Sequence, residues 1–410
     1  MDADVAQPVV ARGEDRNEAR RWSVREARHS LPLRRMLIAA GVALLCAGAI
    51  SVSDWTDDPN WSNPDSLFYQ ALSYEVSGTS AQAARDRVFD SPLSRPAIAQ
   101  QHNVSSAHWR GFEAAFFRRR WVVPAMAAAI RPDAGQRALP DVAIVGYLAF
   151  AAVLAALLAS RFGLVASVPA AVLCLALGPV RDWATRPMTD SWGLVFAVGA
   201  ALAALLVLRR GRPWLLAWAA MMAALSFTRD LALAPLAAVA WLAFREPERA
   251  SRRTSLIMFI SGVIVTIPAY LMFGAPLRLT LASVIDDFRD PPPAQATWSY
   301  VAHHYVSFTA TTIKADVSYA VHHPLVGLTL VAGLIPLFLL SSRRDPLILM
   351  MRGWALGWPI LFLVNPVYSG FRYEIAILPA AAVGLCMLIE HLAERLGRRR
   401  ADARAPVRAA

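Results

Sequence analysis

Asp65 and Tyr69 stand four residues apart in Pro64-Asp65-Ser66-Leu67-Phe68-Tyr69-Gln70-Ala71-Leu72. In a helix that spacing puts both on one face, together with Leu72. A carboxylate placed there can take the proton of an attacking hydroxyl during group transfer. The same position suits an acid for a plainer reason, since a carboxylate in a first helical turn stabilises the helix by about 0.3–1 kcal/mol. Asp54, Asp57 and Asp58 lie close by and compete for the proton-accepting role. Arg118-Arg119-Arg120 offers guanidinium forks that match a phosphate or an anionic head group, or else a solvated surface. Four further sites pair a cation with an acid at a helix mouth: Arg181-Asp182, Arg186 with Asp190, Arg229-Asp230, and Arg372 with Glu374. Sequence neighbours point apart on a helix, so these groups need partners elsewhere. Four such sites on one side suggest a polar cavity.

Other chemistries have little to stand on. There is no glycine-rich phosphate loop, no serine nucleophile elbow and no cysteine-pair zinc motif. His303-His304 and His322-His323 are adjacent pairs, which diverge on a helix and lack ligand spacing. No metal site is predicted. Cys46, Cys174 and Cys386 fall singly inside apolar runs and read as packing residues.

The elements that must hold these residues are apolar. The 410-residue chain is 56% hydrophobic and 17% charged, with a mean hydropathy of +0.41. Its net charge of +11 comes almost wholly from arginine, Lys314 being the only lysine. Apolar runs occur at 36–53, 141–160, 163–180, 189–208, 213–228, 231–244, 254–273, 323–341, 347–364 and 374–393. A span needs about 20 residues, and the runs at 213–228 and 231–244 are short. We expect an all-α polytopic membrane protein of about ten spans, with a polar cytoplasmic tail over 1–35 and a basic one over 394–410. Ten spans place the arginine-rich segments 209–212, 245–253, 341–344 and 395–408 on the side of the first tail, as the positive-inside rule requires. Loops 54–140 and 274–322 then face outward. The first is expected to form a helical cap, with helices over 64–77, 79–88 and 110–130. The basic charge is read as membrane orientation, not nucleic-acid binding.

Several of these segments resemble the GT-C glycosyltransferases, integral membrane enzymes that use lipid-linked sugar donors. The resemblance rests on Asp65 with its aromatic helix, on Phe116-Phe117-Arg118-Arg119-Arg120-Trp121 with Pro124, on Arg186-Pro187-Met188-Thr189-Asp190-Ser191, and on Phe371-Arg372-Tyr373. It covers about 36–393 through short motifs. Many relatives follow the first-loop acid with a second acid, whereas Asp65 precedes Ser66. The general base therefore falls to Asp65 or to Asp57-Asp58. The resemblance implies a 36–393 transmembrane domain in the bacterial plasma membrane, both termini cytoplasmic. It also implies a polyprenyl-phosphate sugar as donor, a cell-envelope acceptor, and binding by Tyr69, Arg118, Arg119, Arg120, Arg186, Asp190, Arg229, Asp230, Arg372 and Tyr373. Some relatives need no metal, and the sequence leaves metal dependence open. A lipid or anionic-solute transporter, or a non-catalytic scaffold of envelope assembly, is the alternative.

Overall fold

The structure is a computed structural model that describes residues 32–56, 64–95, 98, 116–130, 135–245, 249–273, 277–285, 297–340, 345–364 and 371–404. Helices are the only regular secondary structure among them. Asp57, Asp58, the possible N-cap Asn63 and the acidic segment 286–290 lie outside the described residues.

Each apolar run of the sequence coincides with a helix. Helix α1 (Leu33–Thr56) is followed by the cap helices α2 (Pro64–Val76), α3 (Ala81–Phe89) and α4 (Val122–Ile130). Then come α5 (Gly135–Ala159), α6 (Leu164–Ala176), α7 (Gly178–Thr185), α8 (Asp190–Arg210), α9 (Leu215–Ser226), α10 (Leu233–Arg245) and α11 (Arg249–Phe273). Helices α12 (Leu277–Ile285), α13 (Trp298–His322), α14 (Pro324–Leu339), α15 (Pro346–Val364) and α16 (Leu378–Arg404) complete the chain. By length and composition, six helices can cross a membrane, or up to eight if each of two bent pairs is one span. This is a helical protein of the multi-pass membrane type. Helices α9 and α10 are too short for that criterion.

Both bends have local causes. Helices α6 and α7 meet at 68° across Leu177, whose backbone is extended, and Pro179 opens the second helix. Helices α13 and α14 meet at 102° at His323, where Pro324 drives the residue before it out of the α region.

The 274–322 segment, read from sequence as an outer loop, contains the 25-residue helix α13. Its inward positions are Thr309, Thr312 and Asp316, while Val306, Val317 and Val321 are exposed. The outer face also carries His303, His304, Thr311 and Lys314, and polar residues on both faces dilute the hydropathy, so no apolar run appears. The third cap helix also differs from expectation. The chain turns at Arg118 and Arg119 and is irregular at Arg120 and Trp121 before α4 begins.

One large apolar core runs through the bundle, built on α1, α5, α6, α8–α10, α15 and α16. Helices α14 and α16 touch so closely that a Cβ on Gly333 would lie 2.4 Å from the Ala381 carbonyl, the small-residue packing common between membrane helices. The cap has a separate core. Phe68 stacks on Phe117 at 4.8 Å and meets Phe89 edge-on at 5.2 Å, over Val88, Val123, Leu139 and Met188. Aromatic pairs of this kind add about 0.5–1.5 kcal/mol each beyond area burial. Residues 66–74 of α2 are all buried, which holds Asp65 and Tyr69 against the bundle.

Contacts separate the bundle ends. One end gathers the start of α1, the α5–α6 turn, the end of α8 and the start of α15. The other gathers α2, the 118–121 turn, the start of α8, the α9–α10 link and the 371–377 segment.

Candidate functional site

At the second end, four arginines and three aspartates from five separate segments form one network. Asp190, at the first turn of α8, is its hub. Arg372 grips it bidentately, Nε donating to Oδ1 and Nη2 to Oδ2, each at 3.1 Å. The third arm of the same fork, Nη1, donates to Asp65 Oδ2 at 2.7 Å. Arg229 Nη2 lies 2.9 Å from Asp190 Oδ1 as an ion pair without hydrogen-bond alignment. Its two terminal nitrogens are buried without an aligned hydrogen bond. Asp230 takes Arg119 on Oδ1 and Arg120 on Oδ2, the latter at 2.5 Å. Arg119 also donates to the Ser226 carbonyl and covers the Tyr270 ring at 3.9 Å. Arg120 Nη1 donates to the Tyr69 hydroxyl at 2.9 Å, and Thr189 Oγ1 approaches the same oxygen at 3.3 Å.

Local structure explains this convergence. The turn at 118–121 lets consecutive Arg119 and Arg120 reach one carboxylate, which a continuous helix would have splayed apart. Gly193, one turn past Asp190, makes room for Arg229, because a Cβ there would lie 2.8 Å from the Arg229 Cβ. Phe371 holds Arg372 in place from a left-handed backbone (φ 65°), which costs a non-glycine residue of order 1–3 kcal/mol. Its ring stacks on Tyr319 at 5.5 Å, and Trp354 Nε1 pins the next turn through the Ala376 carbonyl at 2.7 Å.

Four guanidinium groups (Arg119, Arg120, Arg229 and Arg372) face three carboxylates (Asp65, Asp190 and Asp230), leaving one positive charge over. Burial opposes the Asp230 charge, yet Arg119, Arg120 and Arg229 together hold its carboxyl well below the usual range. Burial likewise opposes the Arg372 charge, and Asp190 and Asp65 more than offset it, raising that guanidinium above its ordinary value. Arg229 and Asp190 are 1% and 3% exposed, whereas the Asp65 side chain is 33% exposed. Asp65 is thus the network's accessible acid.

The remaining residues singled out from sequence fall in different places. Arg186 sits at the rim over the Trp183 ring, and Arg372 lies over the same ring, at 4.5 and 4.9 Å. Burial, and then Arg372, holds Arg186 below the ordinary arginine value against the pull of Asp182 and Asp190. The Tyr373 ring lies 4.9 Å from Arg229. Arg118 is exposed, outside this set of contacts, so the arginine triplet does not act as one unit.

Trp183 and Tyr270 were not singled out by sequence, and hydropathy gives no signal for them. Asp316 was missed too. It reaches from α13 to the Glu374 carboxyl, and the oxygens of both acids are buried. Among the described residues no three His, Cys, Asp or Glu side chains are grouped so as to hold a metal ion. The network offers instead a buried, net-positive set of hydrogen-bond donors with a carboxylate at its edge, suited to an anionic group beside a hydroxyl. Comparison of the chain with family models, curated proteins and solved structures gave no match.

Proposed function

We propose that the protein is a membrane glycosyltransferase that moves a sugar from a polyprenyl-phosphate donor to an envelope glycan, lipid or protein on the extracytoplasmic face. The observation that carries this reading is Arg372, one guanidinium that grips buried Asp190 and partly exposed Asp65 together. It couples a phosphate-binding charge to a hydroxyl-facing acid within one side chain. The donor phosphate would sit against Arg229 and Arg372, where the Arg229 terminal nitrogens make no aligned hydrogen bond. The acceptor hydroxyl oxygen attacks the anomeric carbon as the bond from that carbon to the phosphate oxygen breaks. The bonding pair leaves on the phosphate, the hydroxyl proton passes to Asp65, and the anomeric centre inverts. Positioned donors of this kind are worth about 10²–10³ in rate each. Asp57 and Asp58 remain the alternative bases by sequence.

The topology that goes with this reading has about ten crossings and both termini in the cytoplasm. The short helices α9 and α10 support it. They join Arg245, near Arg352, to the Asp230 network at the opposite end of the bundle.

The deciding experiment is transfer by purified protein from radiolabelled polyprenyl-phosphate sugars, wild type beside Asp65→Asn. Loss of turnover in a folded variant is the expected result. Equal turnover moves the base to Asp57 or Asp58. A wild type inactive across the donor panel refutes the reading. One observation favours transport as the second reading: the buried Asp316–Glu374 pair has the character of a proton relay within a bundle. Proton-coupled solute uptake into proteoliposomes, abolished by Asp316→Asn, would establish it.

A further inference from the structure

The end of the bundle opposite the candidate site carries a second arginine cluster with different bonding. Arg35 from α1, Arg161 after α5 and Arg209 from α8 converge on the α5–α6 turn. Arg161 is neutralised, with Nε 2.5 Å from Asp345 Oδ2 and Nη1 3.8 Å from Glu390 Oε2. Arg35 and Arg209 bond to neutral oxygens instead: Arg35 Nε donates to the Ala159 carbonyl at 2.8 Å, and Arg209 Nη1 to the Ser160 carbonyl at 3.3 Å. Three guanidinium groups thus meet two carboxylates, leaving one positive charge over, with Arg35 and Arg209 only in the longer-range field of Glu390 and Asp345. A helix C-terminus supplies about half an elementary charge, too little for that surplus.

The surface that continues from this cluster is apolar. Helix α1 turns Ala39, Ala43 and Ala47 inward and Leu37 and Leu45 outward, these two being 63% and 74% exposed. Val165 on α6, just past the cluster, is 80% exposed. Paired guanidinium forks match phosphate oxygens, and basic pockets between membrane helices on the basic side suit phospholipid head groups.

We propose that Arg35 and Arg209 bind the phosphate of an anionic phospholipid, with its acyl chains along the exposed faces of α1 and α6. The continuous apolar wall selects a lipid over free phosphate. The site is independent of any sugar transfer at the other end.

The test uses the full-length protein in an uncharged detergent. Lipid binding is read by native mass spectrometry and by the unfolding midpoint, with phosphatidylglycerol, phosphatidylcholine or inorganic phosphate added. Phosphatidylglycerol should bind the wild type and raise its midpoint above the value with phosphatidylcholine. Each arginine near a membrane surface contributes about 5-fold, so the double variant R35Q/R209Q should weaken phosphatidylglycerol binding about 30-fold. The control R34Q/R210Q removes the same charge from exposed neighbours that do not join the cluster and should cost clearly less than the double variant. R209Q alone, expected to lose about 5-fold, serves if the double variant does not fold. Three results would overturn the proposal. These are equal binding of both lipids, an equal loss in the control and the double variant (or no loss in R209Q when it stands in), and an effect reproduced by inorganic phosphate alone.

Discussion

The two ends of the bundle hold similar inventories in opposite ways. At one end four arginines and three aspartates interlock, all largely buried except the partly exposed Asp65, with Asp190 and Asp230 each facing two guanidinium groups. At the other, three arginines and two acids are half-buried, and two of the arginines rest on backbone carbonyls. A buried charge is tolerable only when paired, which is why the first network is so densely bonded. A half-buried charge keeps its water, so the second end needs few partners and remains open to a surface ligand. Similar composition is therefore bonded differently because desolvation differs.

The largest expected effect is at the hub. Asp190→Ala would leave Arg229 and Arg372 buried against each other and should destabilise the protein by about 3–5 kcal/mol, seen as a lowered unfolding midpoint in detergent. The same substitution at Asp345, in the half-buried cluster, removes one surface pair and the α15 cap, in which Oδ1 accepts from Leu347 N at 3.0 Å. It should cost about 0.5–2 kcal/mol. Equal losses at both positions would break the comparison.

Next comes the function assigned to the buried end. Arg372→Lys keeps one charge but cannot span Asp190 and Asp65 as a planar fork. It should lower turnover about 10²–10³-fold, whereas Arg161→Lys leaves turnover unchanged. Gly193→Ala places a methyl against Arg229 and should cost about 1–3 kcal/mol, measured by the midpoint shift and accompanied by weaker donor binding.

Acid sharpens the contrast further. The Asp230 carboxyl is held below its unfolded value, so its stabilisation is present above that value and is lost as the pH falls toward the folded one. Pairing by Asp230 should survive below about pH 4, the unfolded aspartate range, which the pH dependence of the unfolding midpoint, wild type against Asp230→Asn, would show. The smallest effect concerns the Asp316–Glu374 contact. Asp316→Asn supplies an amide donor where two acceptors meet and should raise stability by about 1 kcal/mol at mildly alkaline pH.

Much of the arrangement was legible in the sequence. Long apolar runs give helices wherever they occur, because backbone polar groups removed from water must bond within their own segment. Pro64 and Gly78 delimited α2, the latter with its φ of +95°. The cation–acid doublets flagged Arg229, Asp230, Arg372 and Asp190 as charges in need of distant partners. Helix α13 escaped because polar residues on both of its faces keep its hydropathy low. The split of the arginine triplet escaped because nothing local distinguishes Arg118 from Arg119.

By itself, the sequence determined that the chain is helical, that most helices are apolar enough for a bilayer, and that arginine is concentrated at particular helix ends. These properties depend on single residues and on short-range periodicity. Only the tertiary structure decided which charges pair. Arg372 meets Asp65 across 307 positions and Asp190 across 182, and Arg119 meets Asp230 across 111. Such contacts arise from helix packing and from the need to satisfy each charge withdrawn from water, and neither is written in local spacing.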